Sequence, residues 1–291
     1  MKKARLLFVA VMLIFGSIGL FVRNINLSSA QTALARGAIG CCFLTAAALI
    51  TGNRLSWKAI RSNLPALLLS GAAIGFNWIF LFQAYRYTSI ANATLSYYFA
   101  PVFVIFLSPL LFKERLSSVK FLCILAALAG MFMIIGFGAE AGGNNIAGIA
   151  YGLLAAVLYA GVIIINKFIK NLGGTETTII QLAMATLVLL PYILISEEVQ
   201  IFRLDAKAGL LLLVIGIIHT GIAYLMYFTA LRQLDGQTIA ILSYIDPISA
   251  VIFASVIFSE PMSLQQMLGA VLVLGAGLAS EFTAAKAKNK Y

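Results

Sequence analysis

The stretch GIAYLMYFTALRQLDGQTIAILSYIDPISAVIFASVIFSEPMS (221–263) repeats an earlier part of the chain. It aligns without a gap on GFNWIFLFQAYRYTSIANATLSYYFAPVFVIFLSPLLFKERLS (75–117), 146 positions upstream. Nine of the 43 aligned positions are identical, and each copy holds an arginine, a proline and a glutamate at the same places. Apolar composition alone does not readily align these three residue types, so the match indicates an internal duplication.

The composition identifies the class of protein. Of the 291 residues, 62% are apolar and 10% are charged, whereas soluble domains are about 45–50% apolar and about 25% charged. The net charge of +10 comes from basic residues scattered over short loops, which does not favour nucleic acid as a partner. We therefore expect an integral membrane protein whose main partner is the lipid bilayer.

Apolar segments of about 20 residues are long enough to cross a bilayer as helices. The chain contains ten of them: 4–22, 30–51, 63–84, 90–112, 118–137, 146–166, 177–196, 208–231, 237–258 and 264–282. They do not alternate in polarity, so they indicate helices rather than strands of a barrel.

The distribution of lysine and arginine predicts the orientation. With a cytoplasmic N-terminus, fifteen basic residues lie in inside segments, four lie in outside segments, and Arg36 lies within a span. Cytoplasmic loops carry the excess of such residues. We expect both termini to be cytoplasmic, in the inner (cytoplasmic) membrane.

The duplication and the span count together predict the architecture. Residues 1–137 form a first repeat of five spans, residues 146–282 a second, and residues 283–291 a basic tail. An odd number of spans inverts the second copy, and inverted repeats are common in secondary transporters that bind solute near the midplane. The predicted fold is all-α: ten transmembrane helices arranged as two inverted five-helix repeats.

Several motifs resemble those of a known family. GFNWIFLFQAYRYTSIANA and GIAYLMYFTALRQLDGQTIA each precede a Tyr-x-x-Pro; LFKERLS and IFSEPMS supply a glutamate. FGSIG (15–19), YAGVI (159–163) and ALARGAIG around Arg36 add further matches. The chain resembles the EamA-like members of the drug/metabolite transporter superfamily. The resemblance implies movement of small metabolites such as amino acids, amines, nucleosides, sugars or drugs, without indicating which.

Asp246 is the main candidate for transport. A charged aspartate within a membrane helix costs about 2.5–3.5 kcal/mol on insertion scales, so it should face a cavity or a partner. Pro247 removes an amide and would leave the Ser243 carbonyl open. Asp246 fits binding of a substrate ammonium or of a coupling proton; the alternative is a permanent pair with Arg36.

Other polar and aromatic residues complete the candidate site. Arg36 could bind a substrate carboxylate or have a structural role. His219 could relay protons or be a hydrogen-bonded packing residue. Asn77 needs a hydrogen-bond partner, which could be another helix or a ligand. Tyrosines one turn before the two prolines suggest a cavity wall or gate, with packing as the alternative, and Pro101 and Pro247 are hinge candidates. The predicted substrate-binding residues are Asp246, Tyr244, Ser243, Asn77, Trp78, Tyr98, Tyr97, Tyr224, His219 and Arg36.

The remaining expectations concern structure and class. We expect Glu114 and Glu260 to cap the helices that follow them. No catalytic cluster, metal-ligand spacing or phosphate-binding loop is present in the sequence, so we expect neither an enzyme nor a cofactor or metal. The three cysteines lie in apolar stretches and predict no disulfide.

Together these features predict a secondary transporter, monomeric or homodimeric, that is proton-coupled or facilitative. Export of amino acids or related amines is the first expectation. Import or facilitated movement of a cationic amine, held by aromatic faces, is the second. A membrane sensor for a small ligand is the alternative from another class.

Overall fold

The structure is a computed structural model that describes residues 2–52, 56–100, 102–104, 106–107, 118–135, 143–231, 233–234, 242–260 and 262–288. Within these residues the regular secondary structure is helical, with no strand. The all-helical part of the prediction is therefore confirmed.

Seven helices have defined bounds among the described residues of the first part of the chain. They are α1 (Lys2–Gly16), α2 (Ile18–Val22), α3 (Ser29–Ile50), α4 (Trp57–Ser62), α5 (Leu64–Tyr87), α6 (Ile90–Tyr97) and α7 (Ser118–Ile135).

In the second part, the described residues form six α-helices with defined bounds, a short 3₁₀ turn and a π-helix. They are α8 (Gly143–Asn166), α9 (Gly174–Ser196), the 3₁₀ turn Ile201–Arg203, α10 (Ala206–Gly216), the π-helix Ile217–Ile222, α11 (Ala223–Leu231), α12 (Ile245–Ile257) and α13 (Leu264–Lys288).

Six helical stretches are long and apolar enough to cross a membrane, and four more described helices are apolar but shorter. Each of the ten predicted spans overlaps one of these ten stretches. The protein is thus a multi-pass helical membrane protein, while the count of ten crossings and the inverted relation of the halves stay predictions.

Polar side chains define where several helices begin. Ser28 Oγ, Ser89 Oγ and Asp205 Oδ1 accept hydrogen bonds from backbone amides three residues further on, at 3.1, 3.0 and 2.7 Å. Each bond satisfies an amide that has no partner inside its helix. These caps limit α3, α6 and α10 at the same end of the bundle.

The predicted ninth span is interrupted near its proline. Residues 242–243 are helical, Tyr244 is in a turn, and α12 begins at Ile245. Tyr244 keeps right-handed helical dihedral angles (φ −74°, ψ −8°), so the irregularity lies three residues before Pro247, which has no amide to donate. The hinge role of Pro247 stays a prediction, and Pro101 lies outside the described residues.

The helices pack in a definite pattern around one centre. Helix α5 packs along α8 and α9, and α3 packs on α9, α10 and the π-helix. Helix α1 lies against α11 and α12, and α6 against α8 and α12. Helices α7 and α13 pack mainly on each other at the periphery. The centre is thus bounded by α1, α3, α5, α6, α8, α9, α12 and the π-helix with α11.

Close helix contacts depend on glycine at several crossings. At Gly71 of α5, an added methyl group would lie 2.8 Å from the carbonyl oxygen of Gln181 on α9. That distance is shorter than a normal contact, and the opposing atom belongs to the backbone, which cannot rotate away. The α5–α9 crossing therefore requires glycine at this place.

We predict that Gly71→Ala lowers the stability of the folded protein by about 1–3 kcal/mol, because overpacking forces two helix backbones apart. A melting curve of the purified protein in detergent measures the effect. Gly209→Ala in α10 is the matched control, since nothing lies within 4 Å of a methyl group added there. Equal melting temperatures for the two variants would contradict the proposed contact.

Candidate functional site

Asp246 lies in the first turn of α12 and meets α6 across the centre of the bundle. Its Oδ2 accepts a hydrogen bond from the hydroxyl of Tyr98, in the turn that follows α6. Its other carboxylate oxygen has no hydrogen-bond partner among the described residues, and it is not fully buried. One carboxylate oxygen thus stays open to a ligand.

Four further tyrosines surround this carboxylate. Tyr85, Tyr97, Tyr159 and Tyr224 all lie within electrostatic range of Asp246. The Tyr97 ring contacts the ring of Tyr159, with centroids 5.3 Å apart, and that of Tyr98 at 5.8 Å. Aromatic faces and hydroxyls therefore form the walls around the acid.

These side chains come together near the middle of the bundle; we call the region that they border the central hollow and define it by Asp246, Tyr97, Tyr98, Tyr159 and Tyr224. Tyr159 retains 40% of its surface exposed, although its ring packs on Tyr97 and it interacts with residues of α11 and α12. The other four members are also partly exposed. Side chains that contact one another yet keep accessible surface are consistent with a space between them.

Arg36 lies on α3 at a second side of this space. Its Nε donates a hydrogen bond to Thr220 Oγ1, at 2.8 Å. Its guanidinium lies over the Trp78 ring, 4.2 Å from the centroid, and 5.8 Å from that of Phe82. The residue is 5% exposed. Arg36 and Asp246 form no ion pair, so the permanent pairing considered from sequence is wrong.

Thr220, which accepts the hydrogen bond from Arg36, lies on a π-helix. Residues 217–222 widen the predicted eighth span, and Thr220 Oγ1 donates to the Ile215 carbonyl five residues back, at 2.9 Å. π-Helical turns occur mostly as single insertions and often at functional sites. Here the wider turn presents Thr220 toward α3.

His219, on the same π-helix, points to α1 instead of the central hollow. Its Nε2 lies 3.0 Å from Ser17 Oγ, its ring contacts Phe21 edge-on at 4.8 Å, and it is 2% exposed. Ser17 is the residue at which α1 ends and α2 begins. His219 therefore contacts the break in the first span, and its proton-relay role stays a prediction.

Two predicted residues on α5 have different surroundings. Asn77 Nδ2 donates to the Ala155 carbonyl of α8 at 2.6 Å, and Asn77 is 2% exposed. This contact joins two helices and fixes α8 four residues before Tyr159. Trp78 is buried beneath Arg36. Asn77 therefore holds α8 in place and Trp78 supports Arg36, while neither is hydrogen-bonded to Asp246.

Tyr244 points away from Asp246, toward α13. The Tyr244 hydroxyl lies against Gly277 of α13, where a methyl group would collide with it. Ser243 is partly buried beside the break at Tyr244. Although Tyr244 and Tyr98 are equivalent in the repeat, only Tyr98 is bonded to Asp246. Their substrate-binding roles stay predictions.

Tyr159, Tyr85 and Thr220 were not among the predicted site residues. A signal existed for Tyr159: in the matched patterns FGSIG and YAGVI, it aligns with Phe15. Phe15 contacts the Tyr224 ring at 5.6 Å, so both aligned aromatic residues reach the centre. The contact of Thr220 with Arg36 depends on the π-helix, and the apolar pattern of the sequence does not indicate a π-helix.

Several contacts between the two halves of the chain lie at one end of the bundle, near residues 22–29, 87–90, 197–206 and 258–263, and we call this the Arg23 end. Other contacts, such as Asn63 with Lys170, join the halves elsewhere. Glu260 pairs with Arg23 and accepts a hydrogen bond from the backbone amide of Ile90 at 3.0 Å, at the start of α6.

Glu260 was expected to cap the following helix, and this was wrong, because Ser263 and Gln266 cap α13 reciprocally. Glu114 lies outside the described residues.

The Arg23 end holds two further connections. Ser28 and Gln31 donate to the Glu197 carboxylate, the latter at 3.1 Å. Asn92 Nδ2 donates to Asn145 Oδ1 at 3.3 Å. Within the described part of the chain, three or more histidines, cysteines or acids do not gather at any point where a metal ion could bind.

Comparison with known proteins identifies the family. A model described as the EamA-like transporter family matches residues 2–136 and again residues 146–279. An uncharacterized transporter, YxxF, of Bacillus subtilis (strain 168) is 32% identical over 272 residues, 92% of this chain and 86% of that protein. An uncharacterized transporter of Archaeoglobus fulgidus is 25% identical over 91% of each chain.

One relative carries a more specific name, and one solved structure matches the fold. The pseudopaline exporter CntI of Pseudomonas aeruginosa is 28% identical over 167 residues, 57% of each chain. A crystal structure superposes with a TM-score of 0.66 at 21% identity, covering 98% of both chains. Because the family model matches most of the sequence in two successive segments, this chain belongs to the EamA-like transporter family.

Proposed function

We propose that this protein is a secondary transporter that exports small amine-bearing metabolites, such as amino acids and related solutes, by alternating access. The observation that carries the proposal is the Asp246 carboxylate inside the central hollow, with one oxygen bonded to Tyr98 and the other open. The export direction draws support from the name of one relative, an exporter.

Asp246 is the proposed binding group for the amine. An ammonium is a strong partner for a carboxylate, because the attraction between opposite charges is stronger inside a protein than in bulk water. Tyr97, Tyr159 and Tyr224 surround it, and tyrosine faces attract cations. Asp246 is also the proposed site of a coupling proton, because the same oxygen takes a proton when no ammonium is bound.

The mechanism requires two halves that move against each other. The helix packing supports a repeat of residues 1–137 in residues 146–282, because the contacts recur when the halves are exchanged. The odd number of predicted spans in each repeat is what favours inversion. In the repeat, α8 corresponds to α1, α11 corresponds to α5, and α12 corresponds to α6. The contact of α5 with α8 therefore recurs as α11 with α1, and the contact of α6 with α8 recurs as α12 with α1. Helices α7 and α13 correspond to each other, and they also pack on each other.

In the proposed cycle the Arg23 end is the extracellular gate and is closed in this structure. Basic residues predict that this end faces outward and that both termini are cytoplasmic, in the inner membrane. Arg23 on the first half, Glu260 on the second and the Ile90 amide on the first form one connected contact. Opening outward must break it, so its strength biases the equilibrium between the two states.

We predict that Asp246→Asn lowers transport about ten- to hundredfold, since a charged hydrogen bond contributes about 1.5–3 kcal/mol. Flux is measured in proteoliposomes with the solute identified by thermal-shift screening of amines and amino acids. Glu198→Gln is the matched control, because that carboxylate is exposed and paired only with exposed Arg203. Full, still pH-dependent flux in Asp246→Asn would refute the proposed binding group.

A second prediction concerns the gate. Glu260→Gln should weaken the closed outer end and raise the rate at which an impermeant thiol reagent, added outside, modifies a cysteine placed at position 97. The background carries serine at Cys41, Cys42 and Cys123. Arg203→Gln serves as control, since the Arg203–Glu198 pair at the same end is exposed and such pairs contribute little. An unchanged rate in Glu260→Gln would exclude Glu260 as a gate residue.

A further inference from the structure

Arg36 is a buried cation with most of its hydrogen-bonding capacity unused. A guanidinium has five N–H donors, and only Nε of Arg36 has a protein acceptor among the described residues. No carboxylate in that part of the chain lies within 4 Å of it. A cation in such a place is costly unless an anion pairs with it.

The unused nitrogens of Arg36 are open to a ligand. Among the described side chains, Thr94 Oγ1 is the one fully buried polar atom without a partner. The terminal nitrogens of Arg36 also lack a partner, so they keep accessible surface even though the whole residue is 5% exposed. Trp78 covers one face of the guanidinium, which leaves its edge for a planar acceptor such as a carboxylate.

The two charged groups share the central hollow but stand at separate places in it. Tyr85, Tyr97 and Tyr224 interact electrostatically with both Arg36 and Asp246. Arg36 and Asp246 themselves form no ion pair. These three tyrosines therefore lie near both the positive pole at Arg36 and the negative pole at Asp246.

We propose that the transported solute carries its amine and its carboxylate at opposite ends of an extended carbon chain, so that Asp246 and Arg36 bind it together. The proposal rests on the proposed function and narrows its substrate class. An α-amino acid holds both charged groups on one carbon atom, so it engages one pole and leaves the other without a counter-ion. A simple amine leaves Arg36 unpaired, and a simple carboxylate leaves Asp246 unpaired.

The tyrosines near both poles favour such a solute. A chain of methylene groups lies against aromatic faces without burying a polar group, whereas a second charge there would lose its hydration. The poles thus select the ends of the molecule and the tyrosines select an apolar middle. Recognition at two ends also discriminates by length, because a chain that is too short cannot reach both poles.

The test compares isomers that differ only in the spacing of their charges. Binding of γ-aminobutyrate and α-aminobutyrate, and of ε-aminocaproate and its α-amino isomer norleucine, is measured by calorimetry on the purified full-length protein. Butylamine and butyrate serve as single-charge controls. At least one separated-charge isomer should bind about tenfold or more tightly than its α-amino isomer and than either single-charge control, because each additional charged contact contributes about that factor.

Two variants assign the ends of the solute. Asp246→Asn should reduce the binding of the separated-charge compound to that of butyrate, and Arg36→Gln should reduce it to that of butylamine. Arg36→Lys keeps the charge and should retain part of the affinity. These variants are compared only after melting curves show that they fold; the isomer comparison needs wild-type protein alone.

The possible results separate this inference from the proposed function. Equal or tighter binding of the α-amino isomers overturns the two-pole solute, as does the absence of binding by every separated-charge compound. If Asp246-dependent flux of another amine persists in either case, the proposed function stands without the inference. If no amine is transported at all, both fail.

Discussion

Two opposite charges lie inside the helical bundle without meeting each other. Asp246 and Arg36 each carry the cost of a charge removed from water, and the cheapest solution would be a direct ion pair. The fold prevents this pair by placing Arg36 on α3 against the π-helix and Asp246 on α12 against α6. Each group keeps one polar contact that offsets part of this cost, and in the proposed function a solute supplies the missing partner.

Breaks in regular helices create this arrangement. Helix α6 ends at Tyr97, α12 begins at Ile245 and α1 ends at Gly16, so the regular helix is interrupted at three places near the same centre. Gly16 lies directly against the Asp246 carbonyl and Ser249, which brings the break in the first span next to the acid. Backbone irregularity inside a membrane is tolerated where it is buried in protein or lines a cavity. The breaks, the open oxygen of Asp246 and the partly exposed tyrosines are therefore consistent with one space.

Much of the fold followed from the sequence, because membrane spans depend on apolar length and the duplication on aligned residue types. Asp246 could be identified from the sequence because a charged side chain in an apolar membrane helix is costly and usually faces a partner or a cavity. The partners of these residues could not be derived, because pairing depends on helix rotation. Tyr98 and Tyr244 are equivalent in sequence, yet only Tyr98 reaches Asp246. Thr220 reaches Arg36 only because a π-helix shifts the register, and Glu260 caps a helix distant in sequence.

The most direct test of a solvent-filled centre is the reactivity of a thiol at position 159 toward a small hydrophilic thiol reagent, in a chain without Cys41, Cys42 and Cys123. Tyr159 and Leu154 lie on the same helix with 40% and 48% of their surfaces exposed, but only Tyr159 contacts other residues of the central hollow. A thiol replacing Tyr159 should react rapidly and one replacing Leu154, on the lipid side, should not. An inert thiol at position 159, or equal reactivity at both positions, would contradict the account.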